Sequence, residues 1–164
     1  MQKNVKKLAR AGIIAALYTV LTLIVFPVAS GAVQIRISEA LTLLPLLFIE
    51  AIPALAVGCF ISNLITGCAA FDIAFGTLIT LVAAMLTYFS GKLIKDTTLK
   101  VFIGGLFPVV LNALLLPLIW VYCYGAIEYV YYIQALLLVL GQGISVYLFG
   151  TPVLIKLSKS LKSA

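Results

Sequence analysis

The chain has 164 residues, 64% of them hydrophobic and 10% charged, with a mean hydropathy of +1.24. Such a chain lacks the polar side chains needed to cover a water-soluble domain, so composition places it in a bilayer. At about 20 residues per helical crossing its length holds roughly six or seven spans, leaving no room for a soluble catalytic domain, and its charge of +6 sits in short lysine clusters beside apolar runs, a pattern of membrane orientation rather than nucleic-acid binding.

Lys3, Lys6, Lys7 and Arg10 precede an apolar run from Ala11 to Val28. No small-residue cleavage site followed by a polar domain interrupts that run, so a retained first helix over about 9–28 is expected rather than a signal peptide. The next stretch is the difficult one. Between Glu39 and Glu50 lie only ten uncharged residues, Pro45 among them, too few for a comfortable α-helical crossing.

One continuous helix from Ser38 to Thr66 would put Lys92, Lys95, Lys100, Lys156, Lys159 and Lys162 on the face opposite the N-terminal cluster, against the positive-inside rule. A short helix that turns at Glu50–Pro53 and a second that returns through Asn63 instead place ten of the 11 basic residues in the cytoplasm. The predicted helices are therefore 9–28, 38–50, 53–66, 73–93, 100–122 and 130–157, with Ser38 as an N-cap and Pro53 in a first turn. The expectation is an all-α integral membrane protein: one transmembrane domain over 1–164, six transmembrane helices with a short second one, and both termini cytoplasmic. No internal repeat supports an inverted-repeat carrier.

This orientation gathers the charges that break the rule. Arg36, Glu39, Asp72 and Glu128 fall in or beside the external segments 29–37, 67–72 and 123–129. A charge at the edge of hydrocarbon costs up to a few kcal/mol, so these groups should be paired or face a wet cavity. Two readings stand: an Arg36–Glu39 pair three residues apart with solvated loop ends, or a ligand mouth.

Phe71, Phe75, Trp120, Tyr122, Tyr124, Tyr129, Tyr131 and Tyr132 cluster at the same level. They fit either interfacial anchoring or a stacking surface. Asn63 and Gln134 present amides near the external ends and should point inward, whereas Asn112 and Gln142 lie near mid-membrane and are expected to pair with each other. Carboxylates, amides and π-faces together suit a flat, donor-rich heterocycle.

Several chemistries are excluded or disfavoured. The chain has no histidine, and Cys59, Cys68 and Cys123 have no metal-ligand spacing, so neither a metal site nor a cofactor is expected. At most one disulfide, Cys68 to Cys123, is conceivable; small buried residues are the plainer reading. HExxH, G-x-S-x-G and phosphate-loop motifs are all missing, which argues against an enzyme and against ATP hydrolysis by this chain itself. Energy for uptake would then come from a partner, and the small residues Ala9, Ala11, Gly12, Ala15 and Ala16 give the first helix a surface for close approach, to a partner or to its own bundle.

Val33-Gln-Ile-Arg-Ile-Ser-Glu-Ala-Leu41, Leu44-Pro45, Gly58 to Asn63 and Phe71-Asp72 resemble the S components of energy-coupling-factor (ECF) transporters, and specifically the QueT group assigned to queuosine-precursor uptake. The resemblance runs over nearly the whole chain. It implies a compact S-component-like bundle in a bacterial plasma membrane that captures its ligand from outside and docks on a transmembrane coupling protein with two ATPase subunits. Ala11 and Ala15 match the Ala-x-x-x-Ala surface that S components use for that docking.

The implied ligand is a 7-deazaguanine such as 7-aminomethyl-7-deazaguanine. Arg36, Glu39, Asn63, Phe71, Asp72, Trp120, Glu128, Tyr131 and Gln134 are its expected contacts. The alternatives are an S component for another vitamin-like molecule and a non-transporting membrane assembly subunit.

Overall fold

The computed structural model describes residues 2–29, 34–125 and 130–163, and all of its regular structure is helical. Helix α1 is Gln2–Ala29. A 3₁₀ helix, Ile37–Leu46, follows, and the chain then turns into α2, Ala51–Ile65. Helices α3, Ala70–Leu93, and α4, Thr97–Tyr124, are long. The last helix, α5, covers 131–163 and contains a π-helical stretch, Ile144–Gly150.

Among the described residues, four helices are long and apolar enough to cross a bilayer: Asn4–Phe26, Ala70–Leu93, Thr97–Cys123 and Tyr131–Leu161. Ile37–Leu46 and Ala51–Ile65 are apolar but shorter.

Beside an apolar core, the interior holds many polar side chains and the outer surface is largely apolar. Thr19, Thr22, Ser38, Ser62, Thr87, Asn112 and Gln142 are buried, while Ile24, Phe60, Leu78, Phe89, Leu136 and Leu148 are exposed on the outer surface. Lipid cannot satisfy a hydroxyl or an amide, so such groups turn inward and the apolar side chains meet hydrocarbon. One pairing illustrates the rule. Pro108 has no N–H and so cannot serve the carbonyl four residues back; the Thr87 hydroxyl donates to that carbonyl, Gly104 O, at 2.8 Å.

The 3₁₀ helix lies at the centre and touches all five other helices. Residues Ser38 to Pro45 are buried throughout. A 3₁₀ winding rises about 2.0 Å per residue, so ten residues reach farther than they would in an α-helix at about 1.5 Å. The short second element was expected as an α-helix over 38–50 capped by Ser38. In the structure Arg36 stands at the N-cap position with no side-chain cap, and Ser38 lies inside the helix. Its Oγ accepts from Thr22 Oγ1 at 2.8 Å, because a buried hydroxyl pair is better served across helices than at a helix end.

Two glycines let backbones meet. A Cβ on Gly58 would stand 2.8 Å from Tyr18 Cβ and 2.9 Å from Ala15 O, so α2 lies directly on α1 there. A Cβ on Gly150 would stand 2.7 Å from Ala40 O, which places the π-helical stretch of α5 against the 3₁₀ helix.

Near the start of α1, Arg10 Nη1 meets Glu50 Oε1 at 2.7 Å, and its guanidinium lies 4.1 Å from the centre of the Phe48 ring. This contact fastens α1 to the turn between the 3₁₀ helix and α2. Opposite, α2 ends in a Schellman turn: Gly67 adopts φ +71°, Cys68 N donates to Asn63 O at 3.0 Å and Gly67 N to Leu64 O at 3.3 Å. That turn leads the chain from α2 into α3.

Candidate ligand-binding site

A cavity of about 300 Å³ opens at the Gly67 end of the bundle. Every helix contributes to it. Thr22 and Phe26 come from α1, Gln34 and Arg36 from the connection, and Glu39 from the first turn of the 3₁₀ helix. Helix α2 and its Schellman turn supply Cys59, Asn63, Thr66, Gly67 and Cys68. Asp72, Gly76 and Thr80 line it from α3, Asn112, Leu116 and Trp120 from α4, and Gln142 from α5.

Local structure sets each group. Cys59 and Asn63 are four residues apart and so share one face of α2, where Asn63 Nδ2 donates to Cys59 Sγ at 3.5 Å. Gly76 leaves room for that amide: a Cβ there would stand 3.3 Å from Asn63 Nδ2. Trp120 Nε1 donates to Asp72 Oδ1 at 2.9 Å, joining α4 to α3 and fixing the indole in the cavity wall. On the opposite side the Tyr18 hydroxyl donates to Glu39 Oε1 at 2.5 Å.

Three buried oxygens have no hydrogen-bond partner among the described residues: Gln34 Oε1, Glu39 Oε2 and Gln142 Oε1. All three residues line this cavity. An unsatisfied buried acceptor costs about 1–3 kcal/mol, and protein interiors rarely keep one without reason. Here the acceptors converge on one space, beside the Arg36 guanidinium, which can only donate.

Of the nine residues expected to contact a ligand, Arg36, Glu39, Asn63, Asp72 and Trp120 are brought together around this cavity. Three others lie elsewhere. Phe71 is exposed on the outer surface and stacks on Phe75 at 6.2 Å between ring centres. Tyr131 donates to Leu114 O at 3.0 Å on the flank of α4, and Gln134 is buried but not among the lining residues. Glu128 lies outside the described residues.

The Arg36–Glu39 ion pair is not formed. Among the described residues the ion pair is Arg10–Glu50, while one Glu39 oxygen takes Tyr18 and the other has no partner. The expected Asn112–Gln142 pairing also fails on the glutamine oxygen, which has no partner; both amides face the cavity instead. The three cysteines are free thiols.

On α1, Ala11 and Ala15 are half-buried against the core cluster that contains Ile14, Tyr18 and Leu55. The exposed small residues are Ala9, Gly12 and Ala16.

Sequence reasoning missed Tyr18, Thr22 and Gln34. Tyr18 and Thr22 carried a signal, since polar atoms four residues apart in a lipid-spanning stretch mark an inward face, and Ile14 is buried on that same face. Gln34 carried none beyond its place in the stretch 33–41, two residues before Arg36. At the level of the whole chain, the family model described as QueT transporter matches residues 8–159. No curated protein and no solved structure matches the chain.

Proposed function

The chain belongs to the QueT transporter family, whose members act in membranes on small molecules, and on that premise we propose that it is the substrate-binding S component of an ATP-driven ECF importer. Its ligand is a queuosine precursor of the 7-deazaguanine type, captured from outside. One observation carries the reading: a cavity of about 300 Å³ combines an arginine, acceptor oxygens of Glu39, Gln34 and Gln142, and an indole face. A guanine-like ring offers a carbonyl to the guanidinium, N–H groups to the acceptors and a flat face to Trp120.

In the proposed orientation both termini face the cytoplasm of a bacterial cell, all six helical segments cross the plasma membrane, and the cavity opens outward. The sorting of charge supports this: Arg10 and Glu50 meet at one end of the bundle and Arg36, Glu39 and Asp72 line the cavity at the other. A transmembrane coupling protein and two ATPase subunits supply the energy. The coupling protein docks on α1, on the exposed face made by Ala9, Gly12 and Ala16 and bordered by Ala11 and Ala15.

Purified protein is expected to bind 7-aminomethyl-7-deazaguanine, and mass spectrometry of ligand retained through purification identifies the natural one. A different vitamin-like compound in that spectrum would replace the ligand and leave the transport reading; no ligand, together with no uptake by the assembled importer, would remove both. For the docking face, Gly12→Trp with Ala16→Trp should abolish uptake and spare ligand binding. The pair Ala11→Trp and Ala15→Trp should instead destabilise the bundle.

A further inference from the structure

Glu39 differs from the two glutamines that share its cavity. An amide turns over to offer either a donor or an acceptor, whereas a carboxylate offers acceptors only. Gln34 and Gln142 can therefore adapt to a ligand, and Glu39 cannot. Its position is also fixed. Glu39 is 2% exposed on the first turn of the central 3₁₀ helix, and the Tyr18 hydroxyl, itself 1% exposed on α1, occupies Oε1. Tyr18 is held in turn by the close approach of Gly58, where a Cβ would stand 2.8 Å from Tyr18 Cβ. The remaining oxygen, Oε2, has no partner among the described residues, and Gln142, 1% exposed, brings a second such oxygen to the same cavity from α5.

We infer that Glu39 is the specificity-determining group of the cavity and Tyr18 its positioning residue: with Oε1 held by Tyr18, Oε2 accepts from the exocyclic amino group of the ligand, and the ring N–H beside it goes to the adaptable amides of Gln142 and Gln34. The cavity therefore selects planar heterocycles with an amidine- or guanidine-like edge, in which a ring N–H stands beside an exocyclic amino group. It rejects rings of the same outline that lack the amino group. This inference rests on the proposed ligand-binding role of the cavity and adds to it the part of the ligand that is read and the group that reads it.

The test is the ratio of affinities for two probes, 7-aminomethyl-7-deazaguanine and the same molecule without its 2-amino group, measured by calorimetry on the detergent-solubilised full chain. A site built around a buried acceptor should prefer the amino form by at least about tenfold, since the lost donor leaves that acceptor unpaired. In Glu39→Gln the Tyr18 hydroxyl still donates to the side-chain oxygen, which leaves N–H₂ toward the ligand and should bring the ratio close to one. Tyr18→Phe keeps the ring packing and should lower the ratio less.

A ratio of one in the unmodified protein overturns the inference while leaving the ligand reading in place, as does a ratio that Glu39→Gln leaves unchanged. Binding of neither probe overturns both. If Glu39→Gln does not fold, Tyr18→Phe decides: a lowered ratio with an unchanged unfolding temperature supports the assignment, and an unchanged ratio overturns it.

Discussion

Two glutamates flank the central 3₁₀ helix, and the protein treats them in opposite ways. Glu50, just past its end, meets Arg10 at 2.7 Å beside the face of Phe48. Glu39, in its first turn, has an arginine three residues earlier and yet, among the described residues, no ion pair; one oxygen takes a neutral tyrosine hydroxyl and the other has no partner there. A charge retained for structure is balanced where it stands, because an unbalanced one costs more as water is excluded. A charge left incomplete beside a cavity has its complement elsewhere, and the family to which the chain belongs transports small molecules. The contrast fits the proposed division of labour, with holding at one end of the bundle and recognition at the other.

The largest expected effect separates these assignments directly. Glu39→Gln should weaken ligand binding on the order of 100-fold, equivalent to about 2.7 kcal/mol for a charge-assisted hydrogen bond, with the unfolding temperature in detergent unchanged or raised. A large loss of stability with intact affinity would reverse the comparison. Next is Gly58→Ala, whose Cβ would press on Tyr18 and Ala15 and should cost about 1–3 kcal/mol of stability. Gly12→Ala on the exposed face, where a Cβ meets nothing within 4 Å, should cost nothing; equal midpoints for the two variants would mean that α1 and α2 do not pack as described.

Glu50→Gln is the converse of the first substitution. It removes the pair with Arg10, whose side chain is 39% exposed, so the expected loss is about 1 kcal/mol with ligand affinity unchanged. The smallest effect is that of Trp120→Phe. A smaller aromatic face remains and the bond to Asp72 is lost, so affinity should fall roughly threefold to tenfold. An unchanged affinity would restrict recognition to the Glu39 side of the cavity.

Much of this arrangement is legible in the amino-acid sequence, because charge and hydrophobic length are coarse quantities that a bilayer enforces strictly. The short Pro45 segment has to cross for the lysines to share a side, and that requirement alone brings Arg36, Glu39 and Asp72 to one end. In the structure these three line one cavity with Asn63 and Trp120. Rotation about each helix axis is not legible in the same way. In a helix apolar on every side, hydrophobic periodicity does not choose an inner face, so nothing in the sequence separates Ala11 and Ala15, packed inward, from Gly12 and Ala16, facing out.

The same distinction between depth and azimuth accounts for Tyr131 and Phe71. Each is turned away from the cavity, Tyr131 against Leu114 of α4 and Phe71 against Phe75. Nor do the residues of Ile37–Leu46 carry a 3₁₀ signature; burial against all five other helices accompanies that winding.

The winding constrains how this scaffold can change. A 3₁₀ helix turns about 120° per residue, so adding or deleting one residue between Glu39 and Glu50 would swing one of them a third of a turn relative to the other and displace it by about 2 Å. The fastening at one end and the acceptor at the other are locked in phase, like two cams on one shaft. Descendants of this sequence that acquire a new ligand must do so by exchanging side chains around a segment of constant length, and an indel library across 40–49 should yield almost no functional members.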